Sequence, residues 1–201
     1  MSGELAATAL GLAIAAGVSP YATVAVIGLA HQAGWIDVLP AAVAPLASPW
    51  VVAIATLLTV IEFGATLVPG IASAWEAVHT AIRPPAATLL AVLTLWGAAP
   101  VWVLGVGLLA GGLATGTVLT KLGVRLAIDT SPEPVSNGIA SVGELSFVAL
   151  IAVFAWQYPL VALITAIVLV VALALGVRAV WGMIWRNVTG NRRPGSRSIR
   201  S

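Results

Sequence analysis

The sequence has no cysteine, which removes disulfides, thiolate metal sites and cysteine nucleophiles together. Charge is nearly as scarce. Only 8% of the 201 residues are Asp, Glu, Lys or Arg, against about a quarter in a soluble domain. No P-loop, dinucleotide fingerprint or His-Glu-x-x-His motif is present. The opening Met1-Ser2-Gly3-Glu4 lacks the basic region of a secretory signal, so the first apolar run is expected to remain as a membrane helix.

What is there is apolar: 60% hydrophobic residues and a mean hydropathy of +1.07. This is the composition of an integral membrane protein, all-α and polytopic, with the lipid bilayer as its first partner. The net charge of +2 sits mostly at the ends of apolar runs and in the tail, where it reads as a topology signal rather than a nucleic-acid footprint. No nucleic-acid partner is expected.

At about 20 apolar residues per crossing, the chain divides into six transmembrane segments within one domain, 1–186. They run over about 5–33, 50–68, 84–97, 101–119, 138–156 and 160–185. The first is interrupted by Gly17-Val18-Ser19-Pro20, which predicts a kinked or locally unwound helix. Residues 34–48 read as a loop flanked by Trp35 and Trp50 as interfacial anchors.

Pro69 and Gly70 end the second segment. Residues 72–82 follow, with Trp75, Val78 and Ile82 on one side and Glu76, His79 and Arg83 mainly on the other, the pattern of a short interfacial helix with a solvated polar face. Arg83-Pro84-Pro85 reads as a break before a short third span. Lys121 to Asn137, holding Arg125, Asp129 and Glu133, reads as a loop outside the hydrocarbon. The basic tail, 187–201, is expected to be disordered on the membrane surface.

With six spans and the N-terminus inside, all nine Lys and Arg residues fall on the inner side, in keeping with the positive-inside rule. A bacterial inner-membrane protein with both termini cytoplasmic is the expectation. Its halves then have opposite orientation, which allows a 3+3 inverted repeat.

Two carboxylates fall inside apolar spans. Glu62 lies seven residues before Pro69, and Glu144 lies seven residues after Asn137, so both sit about 10 Å above the inner boundary. Intramembrane ionisable residues are functional candidates by default. Two carboxyls close together in low dielectric cannot both ionise, so at least one is expected to hold a proton. Ser19 and Pro20 at the break could offer freed carbonyls to a cation or polar solute, as in the broken helices of transporters.

The glycines Gly107, Gly111, Gly112 and Gly116 repeat a small-xxx-small spacing and predict the central packing helix. Glu76 and His79 have the Glu-x-x-His spacing of helical metal sites, but in a single copy, so no metal or other cofactor is expected. Ser131, Ser136 and Ser141 have no histidine partner in the same inner region except His79, and no catalytic set results.

Several stretches resemble one family. Gly11-Leu-Ala-Ile-Ala-Ala-Gly-Val-Ser-Pro-Tyr-Ala-Thr-Val, Ala47-Ser-Pro-Trp, Ile61-Glu62, Val68-Pro69-Gly70, Ser73-Ala-Trp-Glu-Ala-Val-His-Thr and Ile82-Arg-Pro-Pro are similar to the small bacterial membrane proteins grouped as domain of unknown function 4126. Asn137 to Glu144 resembles that family's Asn-Pro-(apolar)-Ser-x-x-Glu-Asp stretch, with Gly138 for the proline and Leu145 for the aspartate. Phe63-Gly-Ala-Thr stands where the family has an Ala-Asp-Lys-like run. The resemblance implies a membrane fold and carries no activity.

Two functions fit this pattern. One is a transporter- or channel-like protein for a small polar or ionic solute, with a site at Ser19, Pro20, Glu62 and Glu144. The other is a non-catalytic scaffold or accessory subunit that pairs with itself or another membrane protein through the glycine-rich helix. An enzyme is not expected.

Overall fold

A computed structural model describes residues 2–68, 71–129 and 134–190. Every regular element among them is helical. The α-helices are α1 (Ser2–Val18), α2 (Pro20–Gln32), α3 (Pro49–Leu67), α4 (Ile71–Thr94), α5 (Pro100–Asp129), α6 (Pro134–Gln157) and α7 (Pro159–Gly190), with a 3-10 turn over Ala44–Ala47. Pro69, Gly70, Glu133 and the tail from Asn191 lie outside the described residues, as do the side chains of Asp129, Ser131, Ser136 and Asn137.

Among the described residues, four helical stretches are long and apolar enough to cross a membrane: Pro49–Leu67, Pro100–Arg125, Gly138–Gln157 and Pro159–Ala179. Gly3–Val18 is a shorter apolar helix. Several such helices in one chain point to a multi-pass membrane protein.

The centre of the bundle is α1, not the glycine-rich helix. Ala6, Ala7, Ala9, Leu12, Ala13, Ile14, Ala15 and Ala16 are all buried, as expected of a helix that is apolar all round. It packs on α2, α4, α5, α6 and α7. Its small side chains set the spacing: a Cβ added to Gly17 would lie 3.0 Å from the backbone of Ala114 on α5. Of the four α5 glycines in the small-xxx-small pattern, Gly107 and Gly111 face Val92 and Thr88 of α4, whereas Gly112 and Gly116 face open space.

The expected break after the first half-span is present. α1 stops at Val18 and α2 starts at Pro20, with Ser19 extended between them at φ −152° and ψ 107°. The proline supplies no N–H and suits the first position of a new helix. The Ser19 hydroxyl accepts from the Ala22 amide at 3.2 Å and so caps α2.

Two expectations are overturned nearby. Arg83-Pro84-Pro85 does not break the chain: residues 72–82 and 84–94 form one helix, α4, with both prolines inside it. The third segment and the interfacial helix are therefore one element. The Arg83 guanidinium donates to Glu76 two turns earlier at 2.5 Å, tying the stretch before the prolines to the residue beside them. Lys121 and Arg125 are likewise not in a loop, because α5 continues to Asp129 and both side chains are buried.

Candidate functional site

α4 is amphipathic in the opposite sense from a helix lying in water. Val78 and Ile82 point outward, 59% and 40% exposed, while Glu76, His79 and Arg83 are buried at 5%, 5% and 0%. Trp75 stacks on the His79 ring at 4.3 Å rather than joining an outer face. Where the surroundings are hydrocarbon, the apolar face belongs outside and the polar face must find partners inside. Residue spacing identified the shared face correctly, and its assignment to solvent is corrected.

The side chains of the resulting network come from four helices, α3, α4, α5 and α6. Arg83 donates to Glu62 on α3 at 2.8 Å and to both carboxylate oxygens of Glu76, at 2.5 and 3.1 Å. Lys121 on α5 pairs with Glu76 at 3.2 Å, with Glu144 on α6 at 3.1 Å and with Glu62 at 3.8 Å. Arg125, one turn further along α5, donates to Glu144 at 3.1 Å and to the Ser141 hydroxyl at 2.9 Å. Ser141 also meets Thr66 at 2.8 Å. The cluster holds three carboxylates and three cations, each acid touching at least two bases.

The broken helix closes this network at both of its ends. Lys121 donates to the carbonyl of Val18, the last residue of α1, at 3.1 Å. Ser19, the first residue beyond it, donates its hydroxyl to the second oxygen of Glu62. An ammonium thus faces the negative C-terminal end of one half-helix, and a carboxylate faces the positive N-terminal end of the other. At these two helix ends the Val18 carbonyl and the Ala22 amide are met by side chains.

Of the sequence candidates, Ser19, Glu62 and Glu144 meet in this cluster. Pro20 is buried beside it as the first residue of α2. The Ser19 carbonyl, expected to be free at the break, accepts from the Thr23 amide and hydroxyl, and the carbonyl that meets a cation is that of Val18, taken by the chain's own ammonium. The two carboxylates both contact Lys121, at 3.8 Å for Glu62 and 3.1 Å for Glu144. Glu76, Arg83, Lys121 and Arg125 were not among the sequence candidates. The signals were available: Glu76 and Arg83 are seven residues apart and Lys121 and Arg125 four apart, each pair on one helical face.

Both ring nitrogens of His79 have partners within the chain. Its Nδ1 lies 2.8 Å from the carbonyl of Trp75, which can only accept, so Nδ1 carries the proton. In a neutral ring Nε2 then accepts from the Tyr21 hydroxyl at 3.1 Å. Both oxygens of Glu76 are held by cations.

Two cavities adjoin the cluster. One of about 20 Å³, lined by Ser19, Glu62, Thr66, Lys121, Ser141 and Glu144 among others, has room for a single water or a small ion. The other, about 370 Å³, is mainly apolar and shares Lys121 and Glu144 with the first. Glu144 is the least buried member, its side chain one-fifth exposed, against 7% or less for the other five.

Residues 6–179 match a family model described as a domain of unknown function, DUF4126. The chain belongs to the DUF4126 family. No curated protein and no solved structure matches it. Every residue of the charge network in this DUF4126 chain falls inside the matched stretch.

Proposed function

We propose that the chain is a transporter-like membrane protein for a small polar or ionic solute, working at the α1–α2 break. The observation that carries this reading is the pairing of the two half-helix ends with Lys121 and Glu62. Discontinuous membrane helices use their freed ends to hold ions and charged groups of substrates. Here the chain's own ammonium and carboxylate stand where a cation and an anion would. Exchange of either for a solute charge would rearrange contacts on five helices at once, which couples occupancy to conformation. No enzymatic step is part of this reading.

Six crossings, with α1 and α2 forming one broken span, are the arrangement we favour, including its inverted halves and placement in a bacterial inner membrane. Arg83, Lys121 and Arg125 are held by carboxylates and drop out of the charge count. The six arginines from Arg178 onward still favour a cytoplasmic C-terminus.

The test is flux in proteoliposomes carrying the full chain, with proton, sodium and ammonium gradients followed by a pH-sensitive dye. Wild type should give flux that depends on pH and disappears in Glu62→Gln. Absence of flux under every gradient would overturn the reading.

The scaffold alternative draws on one observation, the open space in front of Gly112 and Gly116. A second small-residue helix could approach there. A partner, or a second copy of the chain, that co-purifies in fixed ratio and is lost in Gly112→Leu would favour it.

A further inference from the structure

The larger cavity lies at the foot of α1, between α5, α6 and α7, where α5 and α6 barely touch each other. Its apolar wall includes Val124, Phe147, Leu169 and Leu173, and its charged corner is Lys121 and Glu144. We infer that this cavity binds an amphiphilic cation, an alkylammonium whose head pairs with Glu144 and whose chain lies along α7. The inference deepens the transport reading by naming the class of solute, and rests on that reading only for passage, not for binding.

Charge decides the head group. Lys121 and Arg125 both contact Oε2 of Glu144, whose side chain is one-fifth exposed. A carboxylate can accept several donors, so this partly exposed group can take a further cation. An anionic head has no such opening at the corner, because the Lys121 ammonium already faces Val18, Glu62, Glu76 and Glu144. The unpaired guanidinium nitrogens of Arg125 belong to a residue that does not line the cavity.

The volume of about 370 Å³ falls in the range of small-molecule sites, which are mostly apolar with a few polar groups that fix orientation. Leu169 and Leu173 are 43% and 52% exposed, so a chain can enter sideways, past a wall that is itself part of the outer surface. Gly143 also lines the cavity, and a Cβ built on it meets nothing within 4 Å. Leucine at this position would extend into the cavity from a Cβ that meets no neighbour.

The test uses the full chain in nanodiscs of zwitterionic phosphatidylcholine, titrated with decylammonium, decanol and decanoate and read by the unfolding temperature. Decylammonium should raise it saturably, and the other two should not. Gly143→Leu should unfold like wild type without amine and weaken the decylammonium response by about tenfold, or about 1.4 kcal/mol. Glu144→Gln should abolish it. Equal responses to all three probes, a stronger response to decanoate, no saturable response, or an unchanged decylammonium response in Gly143→Leu would each overturn the inference. Amine binding without flux would keep this site and sink the transport reading, and flux of a small ion without amine binding would do the reverse.

Discussion

Lys121 on α5 donates to the carbonyl of Val18, the last residue of α1, across 103 positions of sequence. That bond puts a positive charge on the negative end of the most buried helix and brings three carboxylates to the same nitrogen. Lys121→Met would strand the Val18 carbonyl and leave the network one cation short. Removal of one member of a buried ion pair costs about 3–5 kcal/mol. A chemical unfolding midpoint in detergent micelles should fall accordingly, and a midpoint equal to wild type would show that the ammonium is not held.

Ser19→Ala removes two bonds, the cap on α2 and the donor to Glu62. Lost helix caps cost about 1 kcal/mol and lost hydrogen bonds to charged groups about 1.5–3 kcal/mol. The same unfolding assay should show a loss larger than a cap alone explains. Ser19→Thr, which keeps the hydroxyl, should recover most of it.

The prolines of α4 make an opposite prediction. In a break, Pro84→Ala and Pro85→Ala would extend helix where a turn is needed and destabilise the fold. Inside a helix, alanine is favoured over proline by about 3 kcal/mol in intrinsic propensity. Each replacement should therefore leave the unfolding midpoint unchanged or raise it, with helical circular dichroism retained.

Neighbouring glycines on α5 should respond differently to one substitution. A Cβ on Gly111 would lie 2.9 Å from the Thr88 hydroxyl, whereas one on Gly112 meets nothing. Gly111→Leu should cost about 1–3 kcal/mol through overpacking. Gly112→Leu should leave the unfolding of the single chain as it is. Any effect of Gly112→Leu on oligomeric state, read by size-exclusion light scattering, then reports a partner on that face.

These residues also show what the sequence could reveal. The break at Ser19-Pro20 and the isolated Glu62 and Glu144 are strong local signals: a proline within an apolar run, and a charge with no apolar substitute. Their common level followed from helical rise alone, and the structure joins both to Lys121. The cations were harder to place. Arg83, Lys121 and Arg125 lie near the ends of apolar runs, where hydropathy assigns charge to water, yet each has a carboxylate partner on another helix, 21 positions away for Glu62 and Arg83. A local window also reads Arg-Pro-Pro as a terminator. Nothing within such a window shows that an ion pair two turns back ties the helix across the prolines.

The account's central claim is that the charge network serves passage of a solute and is more than a packing device. The double variant Arg125→Met/Glu144→Gln removes one charge of each sign and leaves Glu62 and Glu76 paired with Arg83 and Lys121. Balanced removal of a buried pair is tolerated far better than removal of one partner. Proteoliposome flux of this variant, measured beside its unfolding midpoint, is the most direct test. The prediction is a fold more stable than Glu144→Gln alone, with flux abolished. A folded double variant with wild-type flux would contradict it.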